Sequence, residues 1–233
     1  MKKNYEMDMC SGPILGKLLT FTIPLIFSGI LQLLFNAADV IVVGRFAGSQ
    51  SLAAVGSTTA LINLMINIFI GLSVGVNVIV ARYYGAKREK DVQDTIHTAM
   101  ALSIVSGLFL IIVGQLLSRP MLELMGTPDD VIDKSTIYMR IIFIGMPANM
   151  IYNFGSAILR AVGDTKRPLY FLTAAGVINV VLNLFFVIMF QMDVAGVALA
   201  TAISQAISAC LVILCLMESE GGLKLHLKDL KIH

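Results

Sequence analysis

The sequence predicts an all-α membrane protein, a bundle of six transmembrane helices. Three observations carry that prediction. The 233-residue chain is 57% hydrophobic, with a mean hydropathy of +0.85. Only 14% of its residues are charged, where a soluble domain carries about 25%, so too few polar groups remain to cover a water-facing surface. Six segments are mainly apolar over the roughly 20 residues that a helix needs to cross a bilayer. None alternates with period two along its length, and all are far too long for barrel strands, so helices alone satisfy the backbone in lipid.

In chain order, residues 1–17 form a cytoplasmic tail. It is not a cleavable signal, because it carries Glu6 and Asp8 and leads to no short apolar core with an A-x-A site. The expected spans cover residues 18–43, 52–81, 96–117, 137–159, 169–190 and 194–217, which makes 18–217 a six-helix membrane lobe. Residues 218–233 form a second cytoplasmic tail. The connections "RFAGSQ", "RYYGAKREKD", "SRPMLELMGTPDD", "RAVGDTKRP" and "QMDVAG" carry the Gly, Pro and Asp of turns. Pro24 and Pro147 fall inside the first and fourth spans. Each removes a backbone hydrogen bond, which makes a hinge cheap there or leaves a fixed kink.

Charge sets the orientation. Thirteen Lys and Arg residues fall in the N-terminal tail (Lys2, Lys3, Lys17), the second-to-third loop (Arg82, Lys87, Arg88, Lys90), the fourth-to-fifth loop (Arg160, Lys166, Arg167) and the C-terminal tail (Lys224, Lys228, Lys231). The opposite side holds Arg45, Arg119 and Lys134, with Arg140 near the outer start of the fourth span. The excess places both termini in the cytoplasm of a cell-membrane protein.

Asp39 is the acidic residue well inside a span, where a carboxylate at the bilayer centre costs about 2.5–3.5 kcal/mol. Such a group faces protein or a hydrated cavity. Gln32, Asn36 and Asp39 stand at i, i+4 and i+7, on one helical face. Four later spans repeat the device at a spacing of four: Asn63 with Asn67, Asn149 with Asn153, Asn179 with Asn183, and Thr201 with Gln205. Any one pair reads as well as interhelical glue, worth about 0.6–2 kcal/mol per contact. Five polar stripes and one carboxylate together point to a shared hydrated pocket. A carboxylate there that gains and loses its charge biases two helix arrangements differently.

Other chemistries find little support. Cys10, Cys210 and Cys215 form no CxxC, and His97, His226 and His233 have no ligand spacing, so no structural metal or disulfide framework is expected. "GLSVG" at 71–75 matches G-x-S-x-G, but Ser73 lies mid-helix rather than on a strand-to-helix elbow, so no enzyme is expected. Nothing points to nucleic acid. Met65, Met146, Met150 and Met189 read as packing and lipid contact before they read as a drug pocket.

Five stretches in order carry a resemblance: "FNAADVIVVGRFAG", "GLSVGVNVIVARYYGAKREKDV", "RAVGDTKRPLY", "INVVLNLFFV" and "AGVALATAISQ". They cover most of residues 14–210 and are similar to the N-terminal half of the multidrug and toxic compound extrusion (MATE) transporters. The resemblance implies one six-helix lobe of a two-lobe, twelve-helix transporter. It implies export of small cationic or amphipathic compounds against inward H+ or Na+, with no other cofactor or metal. It also implies a cation-coupling site at Asp39, Asn179, Asn183 and Thr201, with Gln32, Asn36, Asn63, Asn153 and Gln205 as polar lining. Where the family pattern allows Asp, this chain has Asn183, so one carboxylate serves the site. Residues 218–233 match the start of the inter-lobe linker, and the expected partners are the bilayer and either a missing C-terminal lobe or a second half-transporter. Two rivals remain: a lipid or oligosaccharide-lipid flippase of the same superfamily, and a non-transporting membrane assembly partner. A flippase for anionic lipid-linked substrates needs Arg or Lys within its cleft, and the spans have none well inside.

Overall fold

A computed structural model describes Met7, residues 11–226 and Leu230. Lys2, Lys3, Glu6, Asp8, Cys10, Lys228, Lys231 and His233, named above, lie outside the described residues. The described chain is helical, in the order α1 (Ile14–Val42), α2 (Ser49–Gly85), α3 (Glu89–Leu124), α4 (Asp129–Ile144), α5 (Met146–Ala161), α6 (Lys166–Leu184) and α7 (Val194–Glu218). Short π-helical turns continue α1 over Val43–Ala47 and α6 over Phe185–Met189. A 3-10 turn at Gly221–Leu223 follows α7.

Five of these helices are long and apolar enough to cross a membrane. Helices α4 and α5 are bent by 48° at their break and make a sixth crossing when counted as one span. The single fourth helix expected over 137–159 is therefore two helices that begin at Asp129 and break at Gly145. The break has a local contributor. Pro147 has no N–H, and its ring clashes with the carbonyl four residues back, at Phe143. Pro24 behaves differently, since α1 runs through it without interruption. Helices α2 and α3 also outrun their apolar stretches. Glu89 and Asp91 in the first turn of α3 favour its positive dipole end and extend it into the polar zone.

Small residues set the packing of the bent span. A Cβ on Gly107 of α3 would lie 2.3 Å from Pro147 Cα, and one on Gly114 would lie 2.2 Å from Phe143 Cγ. Backbone and ring thus fill the space of absent side chains on α3, as small residues allow in membrane interfaces. Phe143, Phe154, Met139, Met146 and Met150 are wholly buried around this seam, so Met146 and Met150 are core residues. Helix α1 packs chiefly on α6, and Phe35 occupies the place of a side chain at Gly176. Its outer face, including Ile23, Ile26, Phe27 and Leu33, is exposed, as a lipid-facing surface requires.

The turn "RAVGDTKRP" is built around one carboxylate. Gly163 takes φ +84°, the left-handed conformation that ends α5. Asp164, 1% exposed, accepts the backbone N–H groups of Lys166 at 3.2 Å and Arg167 at 3.1 Å and pairs with the Arg167 guanidinium. It thereby caps the first turn of α6, with the Tyr152 hydroxyl donating to the Pro168 carbonyl at 3.0 Å behind it.

Candidate functional site

Three helices bring four polar side chains together. Asn183 on α6 is fully buried, and its Nδ2 donates both to Asp39 on α1 and to Asn179 Oδ1 at 3.2 Å. Asn179, 5% exposed, donates from Nδ2 to Thr201 Oγ1 on α7 at 3.2 Å. Thr201 donates in turn to the Val197 carbonyl at 3.0 Å. The result is a continuous chain from carboxylate to helix backbone: Asn183 donates both ways, to Asp39 on one side and to Asn179 on the other, and from Asn179 the donors run on through Thr201 to the backbone. The spacing of four within α6 stacks the two amides on the face that α1 and α7 share.

The chain leaves one group unfilled. Asn183 Oδ1 is buried and has no hydrogen-bond partner among the described residues. Asp39 is half-buried and receives a neutral amide; among the described residues no ion pair reaches it. One anionic and one neutral oxygen therefore lie on the two partners of a single hydrogen bond, and a proton donor or a small hard cation suits such a pair. Both helices loosen just beyond the site. Asp39 lies one turn before the π-turn at Val43, and Asn183 lies two residues before the one at Phe185. Such interruptions often accompany functional positions in helices.

The predicted lining residues do not join this cluster. Gln32 and Asn36 share the Asp39 face but are exposed, as is Asn63 on α2. Asn153 turns back on its own helix and donates to Asn149 Oδ1 and to the Asn149 carbonyl, both at 2.9 Å. Gln205 is half-buried, its Oε1 has no partner among the described residues, and it sits beside Gly145 at the break in the bent span. Ser73 donates to the Ile70 carbonyl at 2.8 Å from mid-α2, which accounts for it as a helix residue.

Sequence reasoning missed two features. Tyr138 on α4 is 8% exposed, with its ring in the core of the bundle. One tyrosine at a span edge offers no periodic signal. At the end of the bundle where α2 and α7 begin, Ser51 and Lys134 both meet Asp193. Lys134 Nζ lies 2.5 Å from Asp193 Oδ2 and 3.1 Å from Ser51 Oγ. This clasp joins α2, α4 and the start of α7. Its members are 83 and 142 residues apart along the chain, beyond any local pattern.

The MatE family model matches residues 24–185, which include Asp39, Asn179 and Asn183. The chain belongs to the MATE family. It is 35% identical over 188 residues to "Probable multidrug resistance protein YoeA" of Bacillus subtilis (strain 168), a match covering 79% of this chain and 41% of that protein. It is 27% identical over 208 residues to an "FAD transporter" of Shewanella oneidensis, covering 87% of this chain and 46% of that one. Among solved structures, a MATE transporter in a bent conformation superposes with a TM-score of 0.85 at 25% identity, over 92% of this chain and 48% of the other. An outward-facing multidrug resistance MATE transporter gives the same values. The chain spans about half the length of the curated relatives it matches. Its fold is thus one lobe of a MATE transporter, and members of the family are transporters rather than enzymes.

Proposed function

We propose that this MATE lobe is the ion-coupling half of an exporter that moves organic cations and other amphipathic drugs outward against H+ or Na+. The observation that carries the reading is the Asp39–Asn183 pair, an intramembrane carboxylate beside a buried amide oxygen that has no partner among the described residues. An ion held there takes both oxygens and neutralises α1. Neutral and charged states of Asp39 then favour different placements of α1 on α6, because a carboxylate needs the Asn183 amide and a neutral site does not. Asn179 and Thr201 keep that amide oriented, since each holds the next by a hydrogen bond. A single carboxylate suits a proton at least as well as sodium. The lobe works with a second one across a central cleft, in the cell membrane, with both termini in the cytoplasm. The positive-inside asymmetry supports that orientation.

The test is efflux of a fluorescent organic cation from proteoliposomes under a proton or a sodium gradient imposed in turn, using the chain alone and the chain with a C-terminal lobe. The reading expects export driven by one gradient in the two-lobe form and lost in D39N. Export that survives D39N undiminished under both gradients rejects it, as does a D39N effect no larger than that of a lipid-facing substitution.

A further inference from the structure

A cavity of about 970 Å³ opens at the end of the bundle where α2 turns into α3, α5 turns into α6 and the chain leaves α7. None of its lining residues belongs to the Asp39 cluster. Its walls are mixed. Phe21, Val92 and Leu223 supply apolar surface, and Lys87, Arg88 and Arg160 bring cations.

Arg160 is the unusual member. It is half-buried at the last turn of α5, and its Nε is buried without a hydrogen-bond partner among the described residues. Among the described residues no carboxylate pairs with it. Its neighbours differ. Arg167 is held by Asp164. Arg88 pairs with Asp91 at 2.6 Å and lies 5.1 Å over the Tyr83 ring. A guanidinium drawn out of water without an anion is costly, and the cost is relieved when an anion arrives. Its planar fork matches phosphate oxygens bidentately.

The other rim groups narrow the ligand. Lys87 is exposed at the tip of the α2–α3 turn, in a left-handed conformation at φ +56°. Glu89 and Glu220 also line the cavity. A ligand anionic throughout would meet those carboxylates. A phosphodiester headgroup with its own hydrogen-bond donors, ammonium or hydroxyl, satisfies both signs, and the apolar wall receives the first part of a tail. The cavity lies where the apolar spans end, at headgroup depth.

We propose that this cavity binds one phospholipid through its phosphate on Arg160, with a preference for phosphatidylethanolamine or phosphatidylglycerol over phosphatidylcholine. A lipid there touches α1, both turns and the segment after α7, so it braces that segment against the lobe. Gly222 already lies so close to the α2–α3 turn that a Cβ on it would come within 2.7 Å of the Glu89 carbonyl oxygen.

The test is native mass spectrometry of the protein released from phosphatidylcholine nanodiscs that hold a minor fraction of phosphatidylethanolamine or phosphatidylglycerol. One molecule of either donor-bearing lipid should be retained about tenfold over phosphatidylcholine, a difference of about 1.4 kcal/mol. R160Q should lower the retention of all three lipids, and E89Q, at the exposed cavity wall, should reduce the preference without unfolding the lobe. Inorganic phosphate, added to nanodiscs of phosphatidylcholine alone, should bind far more weakly than the lipids. Equal retention of the three lipids by the parent overturns the proposal, as does parental retention in R160Q or parental preference in E89Q. Phosphate binding as strong as lipid binding overturns the assignment to a lipid.

Discussion

Two carboxylates show how the same side chain serves two purposes in one lobe. Asp193, at the start of α7, is met by Lys134 and Ser51. Burial pushes its carboxyl up, but the bonds from Lys134 and Ser51 and the Lys134 charge outweigh that and hold it below the ordinary carboxylate range. Asp39, in the apolar span, is met by one neutral amide, and the oxygen beside it stays unpaired. A paired carboxylate is a fastener: its charge is already answered, so it has nothing to gain from an ion. An unanswered carboxylate, on the function proposed above, is a site. Arg160 extends the contrast to a cation, since its neighbours Arg88 and Arg167 are paired and it has no ion pair among the described residues.

The largest effect that would break this comparison is on transport. D39N should lower ion-driven efflux by about 100-fold or more, equivalent to about 2.7 kcal/mol of lost coupling, while the melting temperature stays level or rises because a buried charge is gone. A large fall in melting temperature would make Asp39 a fastener too. N183A comes next. It removes the one side-chain donor to Asp39 among the described residues, and initial-rate measurements should show about a tenfold loss of apparent ion affinity, with N179A and T201A milder because they act through Asn183. Crowding the bent span should cost stability instead. G107A puts a methyl against the Pro147 backbone, and denaturation in detergent should register a loss of about 1–3 kcal/mol.

The Ser51–Lys134–Asp193 clasp should give the smaller effects. D193N should destabilise by about 1 kcal/mol, since Lys134 and Asp193 are each about one-third exposed (34% and 36%) and solvent screens such pairs. Efflux per folded molecule should hold. The pH dependence follows from the sign of the Asp193 shift. A folded-state value below the unfolded one, near ~3.9, contributes stability that is fully present above that pH and is lost as pH falls through the folded value. Melting temperature followed from pH 6 downward should therefore show this contribution flat until about pH 4 and then declining, with the decline reduced in D193N.

Much of the lobe was legible because the bilayer leaves a chain few choices. Apolar runs long enough to cross must be helices, and the five uninterrupted crossings lie where hydropathy puts them, longer at their ends where charged turns such as Glu89–Asp91 extend them. The break at Gly145 was visible only as Pro147. Nothing in a proline distinguishes the broken span of α4 and α5 from the unbroken α1 around Pro24, because the outcome depends on what packs alongside, here Gly107. Periodicity placed Asn179 and Asn183 on one face, and the family motifs joined them to Asp39 and Thr201. Periodicity did not show that Gln32, Asn36 and Asn63 would stay exposed, because a stripe on one helix does not say which neighbour it meets. Tyr138, the Ser51–Lys134–Asp193 clasp and the unpaired Arg160 depend on contacts between distant segments, which local spacing does not encode.

The central claim is that Asp39 is an ion site, and difference infrared spectroscopy of the purified protein tests it most directly. Spectra are recorded as pH is lowered in sodium-free buffer and as sodium is added at fixed pH, for the parent and for D39N. The account predicts a saturable change in one carboxyl band with one of the two ions, absent in D39N and shifted in N183A. The same band change in parent and D39N, or none in the parent with either ion, would contradict it.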